Sequence, residues 1–358
     1  MRIAIIANDS NGLYLFRRQL ISALIEEGHE VIALTPFDTD VDNLQALGAT
    51  LVETPIDRRG TNPVRDYSLL KLYKKELKRI KPYLVITYTI KPNVYGGIVC
   101  RQLKIPYAAN ITGLGTAFEG SGMLRKIAIV LNKTALKQAK VVFFENTENR
   151  DIFVNEGIIA KEKTHVLHGA GVDLDHFSYQ AYPINPEFHF LFIGRVMKEK
   201  GVDELLESMR RLVRDGKCCF LNILGNYEED YKEKIDEAVK EGWLRYHGIQ
   251  PDVRPYIAAC DCFVLPSYHE GMANTNLECA ASGRPLITSN IPGCKEAVVE
   301  GSGVLCEPRD VDSLYQAMRT MIEKSREERE QMGRIGHRHM EKVFDKKQVV
   351  AETIRHLF

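Results

Sequence analysis

Apolar residues along this chain fall into two patterns. Short β-branched and aromatic runs alternate with longer stretches in which apolar positions recur every three or four residues. The short runs lie at 3–7, 31–35, 84–88, 107–111 and 141–144, and a second series follows at 188–193, 219–224, 262–265 and 285–288. Such alternation predicts βαβ units on a parallel sheet. An irregular, Pro-containing stretch over 177–186 separates the two series. The expected fold class is therefore α/β: two Rossmann-like doubly wound domains, 1–178 and 179–345, facing a central cleft. Ligands of such sheets sit beyond the carboxyl ends of the strands. Residues 346–358 form a separate helical pattern, expected to pack back on the first domain.

The length of 358 residues suits two domains, and 44% apolar with 27% charged residues excludes collagen-like and disordered classes. The apolar run at the N-terminus is too short for a signal sequence, and no 18-residue apolar stretch occurs. A cytoplasmic protein without a membrane span is expected. The eight cysteines lack zinc-ribbon or C-x-x-C spacing and read as reduced thiols.

Lys+Arg and Asp+Glu each total 48, so net charge gives no reason to expect a nucleic-acid partner. The distribution is uneven. Residues 58–140 hold 17 Lys/Arg against the three acids Asp66, Glu76 and Glu119, a difference of 17 − 3 = +14. Residues 123–140 read as one helix with Lys126, Lys133, Lys137 and Lys140 on a common stripe, which suits an anionic membrane surface. A solvated helix face is the alternative.

The chemistry-bearing residues cluster in the second half. Gly194-Arg195-Val196-Met197-Lys198-Glu199-Lys200-Gly201 follows a strand and sets fork and point cations in a glycine-flanked loop, a combination suited to a diphosphate. Residues 267–278 follow the strand 262–265 and contain Glu270 and Glu278, eight apart. A helix starting near Ala273 offers amides to phosphate oxygens, and Glu278 can accept two ribose hydroxyls. The first βα turn, Asn8 to Gly12, could cradle an anion through backbone N–H groups. It is not G-x-G-x-x-G, and Gly113-Leu114-Gly115 lacks the third glycine, so a dinucleotide-dependent dehydrogenase is poorly supported. Asp38-Thr39-Asp40 and Asp173-Leu174-Asp175 match D-x-D, but the cations and the helix start make a metal unnecessary, and no cofactor is expected.

Gly194-Arg195 with Lys200-Gly201, Glu270-x7-Glu278, Ala281-Ser282-Gly283-Arg284-Pro285 and Gly293 with Glu296 together resemble the retaining family 4 glycosyltransferases of the GT-B fold. His269 to Met272, Pro292 to Glu296, Thr112 to Gly115 and Gly171-Val172-Asp173 are similar to the branch that assembles capsule, O-antigen and bacterial N-glycans. The resemblance implies that Arg195 and Lys200 bind the donor diphosphate and that Glu270 contacts the transferring sugar; with Arg195 and Lys200 it forms the catalytic set. It implies further donor contacts from Glu278 on ribose, from Gly271, Met272, Ala273, Asn274 and Thr275, from Gly12, and from Gly225 near the base with 246–251. Many members carry a histidine where this chain reads Asn110-Ile111-Thr112-Gly113, so Asn110 and Thr112 stand on the acceptor side, with His168 nearby in sequence. The implied partners are a nucleotide sugar, UDP-linked by default, and a polyprenyl-diphosphate-linked saccharide, with Arg17 and Arg18 as candidate cations for the acceptor diphosphate. Such an enzyme would sit peripherally on the inner face of the cytoplasmic membrane. Two other classes stay open: an epimerase or hydrolase of the same architecture, which needs no lipid-facing patch, and a non-catalytic nucleotide-sugar-binding protein, which would not need the cation and carboxylate constellation.

Overall fold

In the computed structural model, which describes residues 1–57, 60, 62–115, 118 and 122–358, the chain divides into two units. One comprises Met1–Ala170 with Lys347–Phe358, the other Gly171–Lys346.

The first unit holds β1 (Arg2–Ile6), β2 (Glu30–Thr35), β3 (Thr50–Glu53), β4 (Leu84–Tyr88), β5 (Tyr107–Ile111), β6 (Val141–Phe144) and β7 (Thr164–Val166). All pair in parallel in the order β3-β2-β1-β4-β5-β6-β7. β4, β5 and β6 are buried at every position, as strands covered by helices on both faces must be. The second unit holds β8 (Phe188–Ile193), β9 (Cys219–Leu224), β10 (Leu244–Gly248), β11 (Cys262–Leu265), β12 (Leu286–Ser289) and β13 (Gly303–Cys306), in the order β10-β9-β8-β11-β12-β13. This is the Rossmann strand order, with the switch point beside β8. Four strands, β3, β7, β10 and β13, escape the sequence pattern. They lie at or next to sheet edges, span three to five residues and are only partly buried, so no continuous apolar run marks them.

The chain leaves the first unit before residue 171 rather than at 178. Backbone pairing explains the difference. Val172 N donates to Phe344 O at 2.7 Å and Lys346 N to Val172 O at 3.0 Å, which ties the incoming segment into the second unit. Gly171 has φ +69°, and a Cβ there would lie 2.7 Å from Lys346 Cα. After this crossing the helix Lys346–Leu357 returns to the first unit, burying Val349 and Leu357 in the same core as Leu20, Leu24, Leu84 and Val141.

Arg284 anchors the start of the second unit. Its side chain is 0% exposed. Nε donates to Ile257 O at 2.8 Å, Nη1 to Gln180 O and Gly283 O at 3.3 and 3.2 Å, and Nη2 to Ala181 O and Ala258 O at 2.9 and 3.1 Å. Gly283, at φ +77°, leaves room for the Tyr179 ring. The 281–285 motif thus fastens residues 179–181 to the sheet.

Candidate active site

In the second unit, three loops at the carboxyl ends of the strands are drawn together by glycines. Gly201 has φ +69°, and a Cβ there would come within 2.1 Å of Pro266 O. The loop after β8 therefore lies directly on the loop after β11, and Tyr268 N donates to Glu199 O at 2.9 Å. Gly225, at φ +136°, plays the same part after β9, where a Cβ would strike Gly194 O at 1.9 Å. Beside it Tyr246 stacks on Tyr227 at 4.7 Å between centroids and donates its hydroxyl to Gly225 O at 2.7 Å.

This packing pairs Lys200 with Glu270. Lys200 Nζ donates to Glu270 Oε1, and Ser267 Oγ donates to the same oxygen at 2.8 Å. The two charged side chains are 17% and 13% exposed. Arg195 is different: it is 46% exposed, with the Glu228 carboxylate 4.0 Å away.

The helix Asn274–Ala281 starts next to this pair with no side-chain cap. Ala273 N donates to Gly293 O at 2.8 Å, and Gly293 N in turn donates to Glu296 Oε2 at 2.8 Å. Gly293 and Glu296 therefore buttress the Gly271 to Ala273 backbone. Met272 and Ala273 are buried, Thr275 is partly exposed, and Asn274 Oδ1 is a buried acceptor without a partner among the described residues.

Glu278, one turn into the helix, is partly exposed at the surface and otherwise surrounded by protein. Burial pushes its carboxyl up to about 7, with Lys346 opposing the shift. The unfolded chain takes up this proton only near pH 4.5, so the native state binds the extra proton between about 4.5 and 7. Stability from this group falls as pH rises through that window. Glu278→Gln is accordingly expected to raise stability relative to wild type by about 2–3 kcal/mol at pH 8 and by almost nothing at pH 4. Urea unfolding at the two pH values measures this, and an equal difference at both would show an ordinary carboxylate.

Several first-unit expectations change. The Gly12 amide is taken by the Asp9 side chain, and Ser10 N donates to Asp38 Oδ1 at 3.0 Å. Carboxylates therefore already accept from these amides at the start of the first helix, and the D-x-D of the loop after β2 serves as part of its cap. Arg17 pairs with Glu145 at 3.1 Å and lies over the Tyr88 ring, which offsets its charge, while Arg18 lies over Tyr14. Asn110 is buried and donates to Thr87 O at 3.2 Å, while its own carbonyl accepts from Asn93 at 2.8 Å. It fastens β4 to β5 and is not presented to an acceptor. Thr112, by contrast, lines a cavity of about 640 Å³ at the carboxyl ends of those strands. His168 is exposed.

The basic stripe also changes. The helix runs Met123–Leu136, so Lys137 caps it and Lys140 lies beyond it, donating to Leu357 O at 2.7 Å. Arg65, Lys91 and Arg125 are paired with Asp57, Asp66 and Glu156. Arg58, Arg59 and Glu119 lie outside the described residues. Lys126 and Lys133 are exposed on the helix and form no ion pair among the described residues.

An uncapped helix start, an exposed guanidinium and a largely buried Lys–Glu pair thus lie at the carboxyl ends of the second sheet, an arrangement whose chemistry suits an anionic ligand. Residues 179–339 match the family described as Glycosyl transferases group 1, and residues 2–146 match Glycosyl transferase 4-like. The chain belongs to these family 4-like glycosyltransferases. It is 27% identical, over 90% of both chains, to the N,N'-diacetylbacillosaminyl-diphospho-undecaprenol alpha-1,3-N-acetylgalactosaminyltransferase of Campylobacter jejuni. It is 29% identical to the Escherichia coli UDP-Gal:alpha-D-GlcNAc-diphosphoundecaprenol alpha-1,3-galactosyltransferase, over 70% of this chain and 69% of that one. Among solved structures it shares the fold of Anabaena Alr3699/HepE in complex with UDP-glucose, with a TM-score of 0.80 over 99% of both chains at 17% identity.

Proposed function

We propose that this enzyme transfers a hexose or N-acetylhexosamine from a UDP-sugar to a polyprenyl-diphosphate-linked saccharide in bacterial glycan assembly, with retention of anomeric configuration and without a metal. The observation that carries the reading is the Lys200–Glu270 pair beside an uncapped helix start. Arg195 and Lys200 neutralise the donor diphosphate as negative charge develops on the leaving group. Glu270, positioned by Ser267 and Lys200, meets the sugar, and the amides of Asn274 and Thr275 face the phosphates. Glu278 accepts the ribose hydroxyls, and binding selects its ionised form, so donor affinity rises from pH 6 to pH 8 in wild type and stays flat in Glu278→Gln. The lipid-linked acceptor is supported by the two relatives, each of which is named for a substrate joined to a diphospho-undecaprenol.

The test is transfer from a panel of UDP-sugars to a short polyprenyl-diphosphate saccharide in the presence of EDTA, with the product anomer read by NMR. Activity restored only by manganese would refute metal independence, and an inverted anomer would refute retention. No helix among the described residues is long and apolar enough to cross a membrane. Peripheral attachment through Lys126 and Lys133 predicts that changing both to Gln weakens sedimentation with anionic vesicles and leaves UDP affinity intact, with the difference fading as salt rises. Equal binding of both proteins to anionic and neutral vesicles would reduce the two lysines to a solvated face.

A further inference from the structure

The first unit contains an apolar cavity that the transfer reaction as described above does not use. We propose that this cavity receives the hydrocarbon chain of the lipid-diphosphate acceptor; this rests on the reading of a polyprenyl-linked substrate and adds where its lipid goes.

The volume of about 640 Å³ lies within the range of small-molecule sites. Its wall is built from Tyr67, Leu70, Ile90, Leu124, Ile127 and Leu131, between the helices Pro63–Ile80 and Met123–Leu136. Apart from the Tyr67 and Thr112 hydroxyls, the polar side chains on the wall are already bonded to protein. Lys91 Nζ and Tyr95 Oη hold Asp66 at 2.7 and 2.9 Å, Asn93 is bonded to Thr87 and to the Asn110 carbonyl, and Asn132 donates to Ala128 O at 2.8 Å. A saccharide would find few open partners there. A hydrocarbon needs none.

Two further observations favour a chain arriving from a membrane. Leu124, 73% exposed, and Ile127 line the cavity and lie on the same helix as the exposed Met123 and Val130, so the apolar surface continues outward from the mouth. Lys126 and Lys133, on that helix, supply cations without neutralising acids, which complements anionic headgroups and a lipid diphosphate but not a second apolar protein face. The floor is strained: Thr89, a β-branched residue, has φ +71°, and the chain continues into a π-turn over Pro92–Gly96. Both are uncommon and costly. They hold Thr89, Ile90 and Val94 in the wall.

The test uses geranylgeranyl diphosphate below its micellar concentration, titrated calorimetrically into the whole chain with its donor site saturated by UDP, and inorganic diphosphate as control. Wild type should bind the lipid and not the control. Ala128→Trp, which fills the cavity, should weaken lipid binding at least tenfold without changing UDP affinity. Leu124→Asp, at a site too exposed to endanger folding, should weaken it likewise. Wild-type affinity in Leu124→Asp and in folded Ala128→Trp, no lipid binding by wild type, or equal binding of inorganic diphosphate would each overturn the proposal. So would a dimer in sedimentation velocity that Leu124→Asp abolishes, because a second copy would then occupy the face. Lipid binding at the cavity without transfer to any polyprenyl-linked saccharide would instead refute the proposed reaction and leave the cavity assignment standing.

Discussion

Replacing Lys200 with alanine is expected to lower UDP-sugar affinity ten- to hundred-fold and to reduce kcat/KM by more than that, whereas Arg195→Ala should cost less. The sequence places both cations in one loop and gives no reason to rank them. The structure does. A charge-assisted contact contributes about 1.5–3 kcal/mol, or roughly ten- to hundred-fold in binding. Arg195 is 46% exposed and screened by water, while Lys200 is mostly removed from solvent. Deleting Lys200 also leaves the largely buried Glu270 carboxylate with, among the described residues, only the Ser267 hydroxyl donating to it. The two losses are coupled, so Lys200→Ala and Glu270→Gln should be non-additive, with a coupling of about 1–3 kcal/mol in a double-mutant cycle. Calorimetric titration with UDP and steady-state kinetics give the numbers. Unchanged UDP affinity in both Lys200→Ala and Arg195→Ala would sink the diphosphate assignment.

Arg284→Lys is expected to destabilise the second unit by about 3–5 kcal/mol despite conserving charge. The buried guanidinium donates to five backbone carbonyls, which a planar fork can do and a single ammonium cannot. The lysine would stay buried with fewer partners, and several carbonyls would lose theirs. For a unit of this size the loss corresponds to a fall in Tm on the order of 10 °C. Calorimetry reads it directly, and a shift below about 2 °C would mean that the carbonyl cluster finds other donors. UDP affinity measured at low temperature should stay near wild type, because Arg284 touches no proposed ligand group.

What could be read from sequence divides along physical lines. The central strands were visible because burial on both faces demands continuous apolar runs. β3, β7, β10 and β13, near the edges, were not, since half-exposed strands of three to five residues carry no such signal. Arg195, Lys200 and Glu270 stand out because fixed charges beside glycines are conspicuous, and Glu278 because it lies eight residues beyond Glu270. The pairing of Lys200 with Glu270 was hidden: it arises from two loops 70 residues apart that touch because Gly201 and Pro266 do. Ser267 carries a usable sign of its own, a hydroxyl three residues before Glu270 just beyond a strand end. Gly12, Arg17 and Asn110 failed for one shared reason. Sequence shows what a polar group can bind, but not that Asp9, Glu145 or Thr87 has already bound it. The apolar cavity had no single marker, since its walls come from helices and strand ends spread over some ninety residues.

The return of the helix Lys346–Leu357 to the first unit has a consequence for biosynthesis. Residues 347–357 are translated only after the whole of 171–346, so during that interval the surface that Val349 and Leu357 will cover stays bare. At roughly 5–20 residues per second the delay is on the order of ten to thirty seconds. The segment that closes the first unit is thus the last to be made, so that unit, although begun earlier, is completed last.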